Sequence, residues 1–180
     1  GHLPVAAWLA ARFGATSEDF TSVATFTDSP DAVVGSTSVL WETGAPFLAC
    51  AIFPETRNAR WDLRQANRLV VHLKPENSNS PKFQGNWPVF VLGKDSGERI
   101  ILRAKRNLLD GHLDHWRRYE VPFAGNGDFA REEEGTLDMS EVDWFEVQAD
   151  TWGEGFRIRI DGLTFLPKGP SRADIPSTDR

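Results

Sequence analysis

Residues 156–165 read FRIRIDGLTF. Phe156, Ile158 and Ile160 fall on one parity, and Arg157, Arg159 and Asp161 on the other. A period of two is the mark of a strand with one face in a core and one toward water. Other segments repeat the pattern. In RLVVHLK (68–74), Leu69, Val71 and Leu73 make a core face, while Val70, His72 and Lys74 point the other way. In DWFEVQAD (143–150), Phe145 and Val147 face inward, and Trp144, Glu146 and Gln148 outward. In WRRYEVPF (116–123), Tyr119 and Val121 face inward, and Arg118 and Glu120 outward. Further β-rich runs lie at 22–27, 36–42, 47–53, 89–92 and 99–104. Gly, Pro, Asn and Asp clusters separate them, including the hairpin signal Asp95-Ser96-Gly97. Eight or nine short strands without βαβ spacing predict an all-β, antiparallel sandwich or barrel. The exception is PVAAWLAARFG (4–14), where Val5, Trp8, Leu9 and Phe13 recur near the helical period and predict a short N-terminal helix ending at Gly14. A short turn is expected at 61–66.

The chain has 180 residues, enough for one domain with a real core. Its composition, 40% hydrophobic and 26% charged, excludes wholesale disorder. No apolar stretch approaches the ~18–20 residues that cross a bilayer, so no membrane partner is expected. The net charge of −6 disfavours nucleic acid, which needs a basic face. Residues 1–19 read as an N-terminal extension carrying the helix, 20–167 as the sandwich domain, and 168–180 (KGPSRADIPSTDR) as a linker or disordered tail.

The single cysteine, Cys50, sits in an apolar strand and reads as a buried, inert thiol. There is no G-x-S-x-G elbow, and VLGKDSG does not match a phosphate loop. His112 and His115 are spaced for a metal pair or, more simply, for a surface turn. The run Glu132-Glu133-Glu134 reads as a solvated loop. Asp161 heads the turn Ile160-Asp161-Gly162 expected at the end of the last strand; with Asp28 and Asp31 in an early turn it could meet a structural Ca²⁺ if the first and last strands are neighbours, and the competing reading is an Asx-type turn. The basic stretch 99–118, with Arg99, Arg103, Lys105, Arg106, Arg117 and Arg118, reads as a local anion-binding surface or as solvated strands. Seven Trp and twelve Phe stand against one Tyr. Trp41, Trp61 and Trp116 read as packing residues. Trp87, Trp144 and Trp152 lie at a strand start, on an outward parity and in a Gly-flanked turn, which predicts exposed indoles suited to stacking on sugar rings.

Four motifs in order now spell a pattern: DSPDAVVGSTSVLWETG (28–44), ARWDLRQANRLVVHLK (59–74), HWRRYEVPFAG (115–125) and GTLDMSEVDWFEVQADTWGEGFRIRIDGLTF (135–165). Together they resemble the jelly-roll carbohydrate-binding modules of the galactose-binding-like type, which accompany bacterial polysaccharide-degrading enzymes. The resemblance implies a two-sheet antiparallel β-sandwich that binds glycan chains on a sheet face or at its end loops. It implies no catalysis, a multidomain parent, and a secreted, extracellular or periplasmic location. It also implies a structural Ca²⁺ near Asp161, with Asp31 as a further candidate ligand. Matched by motif, the binding residues would be His72, Arg118, Glu120, Trp144 and Gln148. Trp87, Trp152 and Arg103 join them from the residue reading, and the basic strand invites an anionic polymer. The scarcity of Tyr departs from the usual groove. Two other readings stay open: a structural or protein-interaction sandwich without a glycan site, and a polysaccharide lyase using His72, Arg118 and Gln148.

Overall fold

A computed structural model of the chain describes residues 12–13, 24–43, 49–54, 56–76, 86–149 and 155–167. Its strands are β1 (Arg12–Phe13), β2 (Ala24–Ser29), β3 (Ser38–Thr43), β4 (Ala49–Phe53), β5 (Ala66–Glu76), β6 (Val89–Gly93), β7 (Arg99–Ala104), β8 (Arg117–Pro122), β9 (Phe129–Glu134), β10 (Trp144–Ala149) and β11 (Phe156–Pro167). They build two antiparallel sheets, one ordered β1-β4-β10-β6-β7-β9 and the other β2-β3-β11-β5-β8. Of the sandwich or barrel that the alternation allows, this is the two-sheet sandwich that the motif resemblance implies. Among the described residues no helix is long and apolar enough to cross a membrane.

The core lies where the two inner faces meet. The inward parities of β5 and β11 supply Leu69, Val71, Leu73, Ile158 and Ile160, and the opposing sheet supplies Phe90, Leu92, Leu102, Phe145 and Val147. Removing each such side chain from water contributes about 1.5–3 kcal/mol. Trp41 meets Phe156 edge-on at 4.9 Å, and Trp61 closes one end between Phe53 and Phe165 at 5.8 and 5.3 Å. The Leu63 carbonyl accepts from the Ala66 N–H at 3.0 Å and makes the expected turn leading into β5.

Three expectations need correction. Arg12 and Phe13, expected within the N-terminal helix, pair instead as a strand with Cys50 and Ala49; residues 4–11 and Gly14 lie outside the described residues, as do 168–180. The triple glutamate is not a loop but the end of β9, an edge strand. Charge suits an edge, which must discourage further pairing. The Asp161-Gly162 pair does not end the last strand. β11 runs on to Pro167 through a bulge at this point, with Gly162 at φ +62°. A Cβ there would also press on Val34 at 2.7 Å.

Candidate functional site

The sandwich has two outer faces, and they differ in chemistry. That of β2-β3-β11-β5-β8 is laced with ion pairs. Arg157 meets Glu42 at 2.8 Å, Arg159 meets Glu76, Arg68 meets Glu120 at 2.7 Å, and Arg118 meets Glu120 at 2.5 Å. Asp31 receives Lys74 Nζ on one oxygen at 2.6 Å and the Trp116 indole N–H on the other at 2.8 Å. These two bonds hold the Asp31 carboxyl below its ordinary value of 3.8. A depressed folded pKa stabilises above the unfolded value, and that stability is lost as pH falls through the folded one. Urea unfolding followed from pH 6 to pH 2 should therefore show an acid-side loss that Asp31→Asn reduces. An unchanged acid limb would mean that the Asp31 bonds contribute nothing.

Asp161 is 2% exposed on this face. Its Oδ2 accepts the N–H groups of Val33 and Val34 at 2.8 and 2.7 Å, so the first turn and last strand are neighbours, the condition on which the Ca²⁺ reading depended. The bond is neither an Asx turn nor a cation cage. Ca²⁺ takes 6–8 oxygens, whereas Asp161 is met by amide donors and Asp31 by an ammonium and an indole. These surroundings do not fit Ca²⁺. No group of three or more His, Cys, Asp or Glu able to hold a metal occurs among the described residues. His112 and His115 also spend their rings locally. His112 lies between the His115 carbonyl, at 2.9 Å, and the Tyr119 hydroxyl, at 2.5 Å, and His115 contacts the Leu113 carbonyl at 2.8 Å.

The outer face of the six-stranded sheet is different. Cross-strand register sets three rows along it. Cys50, Gln148, Val89 and Arg103 form one; Ile52, Glu146, Val91, Ile101 and Glu132 the next; Trp144, Gly93, Arg99 and Glu134 the third. Ile52, Val89, Val91, Ile101 and Trp144 make an apolar cluster separate from the core, with half-buried Trp87 packed against it. Within this floor sits Glu146, only 4% exposed, accepting from Gln148 Nε2 at 2.5 Å. The indole N–H groups of Trp144 and Trp87 are buried without a partner, as is that of Trp41 in the core. Buried donors are nearly always satisfied, so such orphans need an explanation. The Arg57 guanidinium lies over the Trp144 ring at 5.9 Å.

The structure thus divides the predicted site residues. His72, Arg118 and Glu120 belong to the five-stranded face, and Trp144, Gln148 and Arg103 to the six-stranded one. They cannot form a single groove. The same division separates His72 and Arg118 from Gln148, so the lyase constellation is not assembled. Burial also lowers the His72 pKa, while Asp161 opposes this. Trp144 has the outward parity predicted but is 4% exposed rather than open, because it lies flat over Gly93 within the apolar cluster. Trp152 lies outside the described residues. Arg99 and Arg103 are not free for an anion, since Glu134 and Glu132 hold them at 2.6 and 3.0 Å. Sequence reading placed Glu146 outward between Trp144 and Gln148 but left it out of the expected binding residues, and it passed over Arg57 and Arg60 in the loop after β4.

No family model matches the chain, and no curated protein matches it in sequence. Solved structures do. A family 11 carbohydrate-binding module from Clostridium thermocellum, in complex with a β-1,3-1,4-mixed-linked tetrasaccharide, superposes with a TM-score of 0.58 at 11% identity, covering 91% of each chain. The family 11 module of a cellulosomal cellulase from the same organism gives 0.60 at 11% identity, covering 92% of this chain and 90% of that one. What is shared is the fold. An exo-β-agarase contains it too, with a TM-score of 0.59 at 9% identity over 94% of this chain and 24% of the agarase. The fold expected from the four motifs is therefore the one observed.

Proposed function

We propose that the chain is a noncatalytic carbohydrate-binding module that meets a polysaccharide on the outer face of the six-stranded sheet. The observation that carries this reading is the β10 row. Trp144, Glu146 and Gln148 stand on one face of one strand within an apolar floor, beside two indole N–H donors that lack partners. Glycan recognition asks for that combination: aromatic and apolar surface for C–H faces, and a few fixed planar polar groups for hydroxyls. The likeness in fold to carbohydrate-binding modules supports it.

Its use would be proximity. A module joined to a secreted polysaccharide-active enzyme raises the effective concentration of the catalytic domain at its polymer, outside the cell or in the periplasm. The test is affinity electrophoresis and calorimetry against neutral and acidic polysaccharides. Glu146→Gln keeps the shape of the buried side chain but removes its charge, so it should weaken the binding found by roughly tenfold, the effect of one charge-assisted bond. Burial of Trp144 favours the alternative, a structural or protein-docking sandwich. A folded chain that is retained by none of the polysaccharides would establish that alternative instead.

A further inference from the structure

A polar cavity of about 390 Å³ opens at one end of the six-stranded sheet. That is within the range of small-ligand sites, about 300–1,000 Å³. Three segments frame it. Arg57, Asn58 and Arg60 come from the loop after β4; Lys94 and Asp95 follow β6; Glu141 and Asp143 precede β10. Backbone bonds lock the segments together. Ala59 N–H donates to the Asp143 carbonyl at 2.9 Å, Trp61 N–H to Val142 at 2.8 Å, and Asp143 N–H to Gly93 at 2.9 Å.

The arginines are the unusual part. Nine other described arginines hold a carboxylate at ion-pair distance. Among the arginines whose side chains are described, Arg57, Arg60 and Arg117 do not; Arg117 lies over the Tyr119 ring at 5.1 Å and Arg57 over the Trp144 ring at 5.9 Å. Arg57 and Arg60 therefore bring to one cavity in an acidic protein two guanidiniums that no carboxylate among the described residues holds. Both have left-handed backbone, φ 50° and 51°, which is uncommon away from glycine and is concentrated at functional sites. The acids in the cavity are held apart from them. Glu141 takes Lys94 at 2.9 Å, and Asp143 Oδ2 accepts the Asp95 N–H at 3.3 Å. Guanidinium donors and carboxylate acceptors thus face one open volume without neutralising each other.

An acidic sugar unit carries both matching groups: anionic oxygens for the guanidiniums, which bind carboxylate and sulfate with the same planar fork, and hydroxyls that donate to carboxylates. We infer that this cavity is the subsite for an acidic sugar unit of the glycan. Arg57 and Arg60 take its carboxylate or sulfate, and Asp95 and Asp143 accept from its hydroxyls. The inference rests on the glycan reading of the Trp144 face, which Arg57 borders at 5.9 Å. It also moves the anion-binding role expected for the basic strand to different arginines, because Arg99, Arg103 and Arg106 are already paired with Glu134, Glu132 and Asp128.

The experiment is calorimetry of the whole chain with a neutral gluco-oligosaccharide, a galacturonate oligosaccharide and a sulfated galactan oligosaccharide. At least one acidic oligosaccharide should bind about tenfold tighter than the neutral one, and which one does so distinguishes carboxylate from sulfate. Arg57→Asn and Arg60→Asn, chosen because Asn tolerates left-handed backbone, should each lower acidic binding by about tenfold. The preference for acidic over neutral oligosaccharide should fall with it, and melting at the parent's temperature reports that each variant is folded. Arg57→Lys and Arg60→Lys should recover part of the loss. Acidic ligands binding no tighter than neutral ones, or Asn variants that bind them as the parent does, would overturn the subsite and leave the glycan reading standing. Absence of binding to all three oligosaccharides would overturn both.

Discussion

Gly93→Ala is expected to abolish the glycan binding proposed for the Trp144 face and to lower stability by about 1–3 kcal/mol, the usual effect of overpacking a filled site. A Cβ at Gly93 would lie 2.2 Å from Trp144 Cζ2 and 2.5 Å from Cη2, far inside the ~3.5–4.0 Å of favourable carbon contact. Gly93 is buried between Trp144 on β10 and Arg99 on β7, so its backbone cannot withdraw without breaking both ladders. The indole must leave instead. It would carry away the support of the Arg57 guanidinium and one end of the outer floor. Calorimetry with whichever polysaccharide the parent binds, beside urea unfolding, measures both effects. An alanine variant equal to the parent in both would mean that the indole does not need its seat on Gly93.

Asp161→Ala has the larger expected effect on stability, about 3 kcal/mol, or roughly 6–12 °C in melting temperature. The carboxylate joins segments 128 residues apart by accepting the Val33 N–H, and it accepts Val34 as well. Removing it leaves two backbone donors unpaired beside a bulge that is itself fitted tightly against Val34 and His72. Asp161→Asn retains an acceptor oxygen and should lose about half as much. Thermal melts of the three proteins give the order. If Asp161→Asn is as damaging as Asp161→Ala, the charge rather than the acceptor geometry holds the turn. Adding Ca²⁺ should not raise the melting temperature of the parent, since this neighbourhood presents N–H donors to the carboxylate.

Most of the strand content was legible because burial on one face leaves a period-two trace in the sequence. Phe156, Ile158, Ile160, Leu69, Val71, Leu73, Tyr119 and Val121 are all buried in the core on the parity expected. β9 was not legible. Only Phe129 of FAREEE enters the core, and the strand is held at an edge by pairing with β7, by Glu134 opposite Arg99 and by Glu132 diagonal to Arg103. That reason for being a strand lies on another strand. The Asp161-Gly162 pair likewise has the local chemistry of a turn, yet the ladder with β5 resumes beyond it and makes it a bulge.

The candidate site was legible only in part. Parity correctly placed Trp144 and Gln148 outward, but outward is a direction relative to one strand and does not say which sheet the strand joins. His72, Arg118 and Glu120 therefore entered the same expected groove as residues that the sandwich places on its opposite side. Nor can parity report solvent access, and Trp144 is outward and buried at once.

The sequence by itself determined which side chains leave each strand toward the core, because side-chain alternation is a property of the local backbone. It determined the order of motifs by which the sandwich is recognised. The tertiary structure alone decided which arginines are held by a carboxylate and, among the described residues, which are not. Arg99 and Arg103 meet acids on a neighbouring strand, whereas Arg57 and Arg60, four positions from first to last, border a cavity completed by residues 94–95 and 141–143. Ion pairing is settled by which segments pack together, and that depends on long-range strand pairing that no local period encodes.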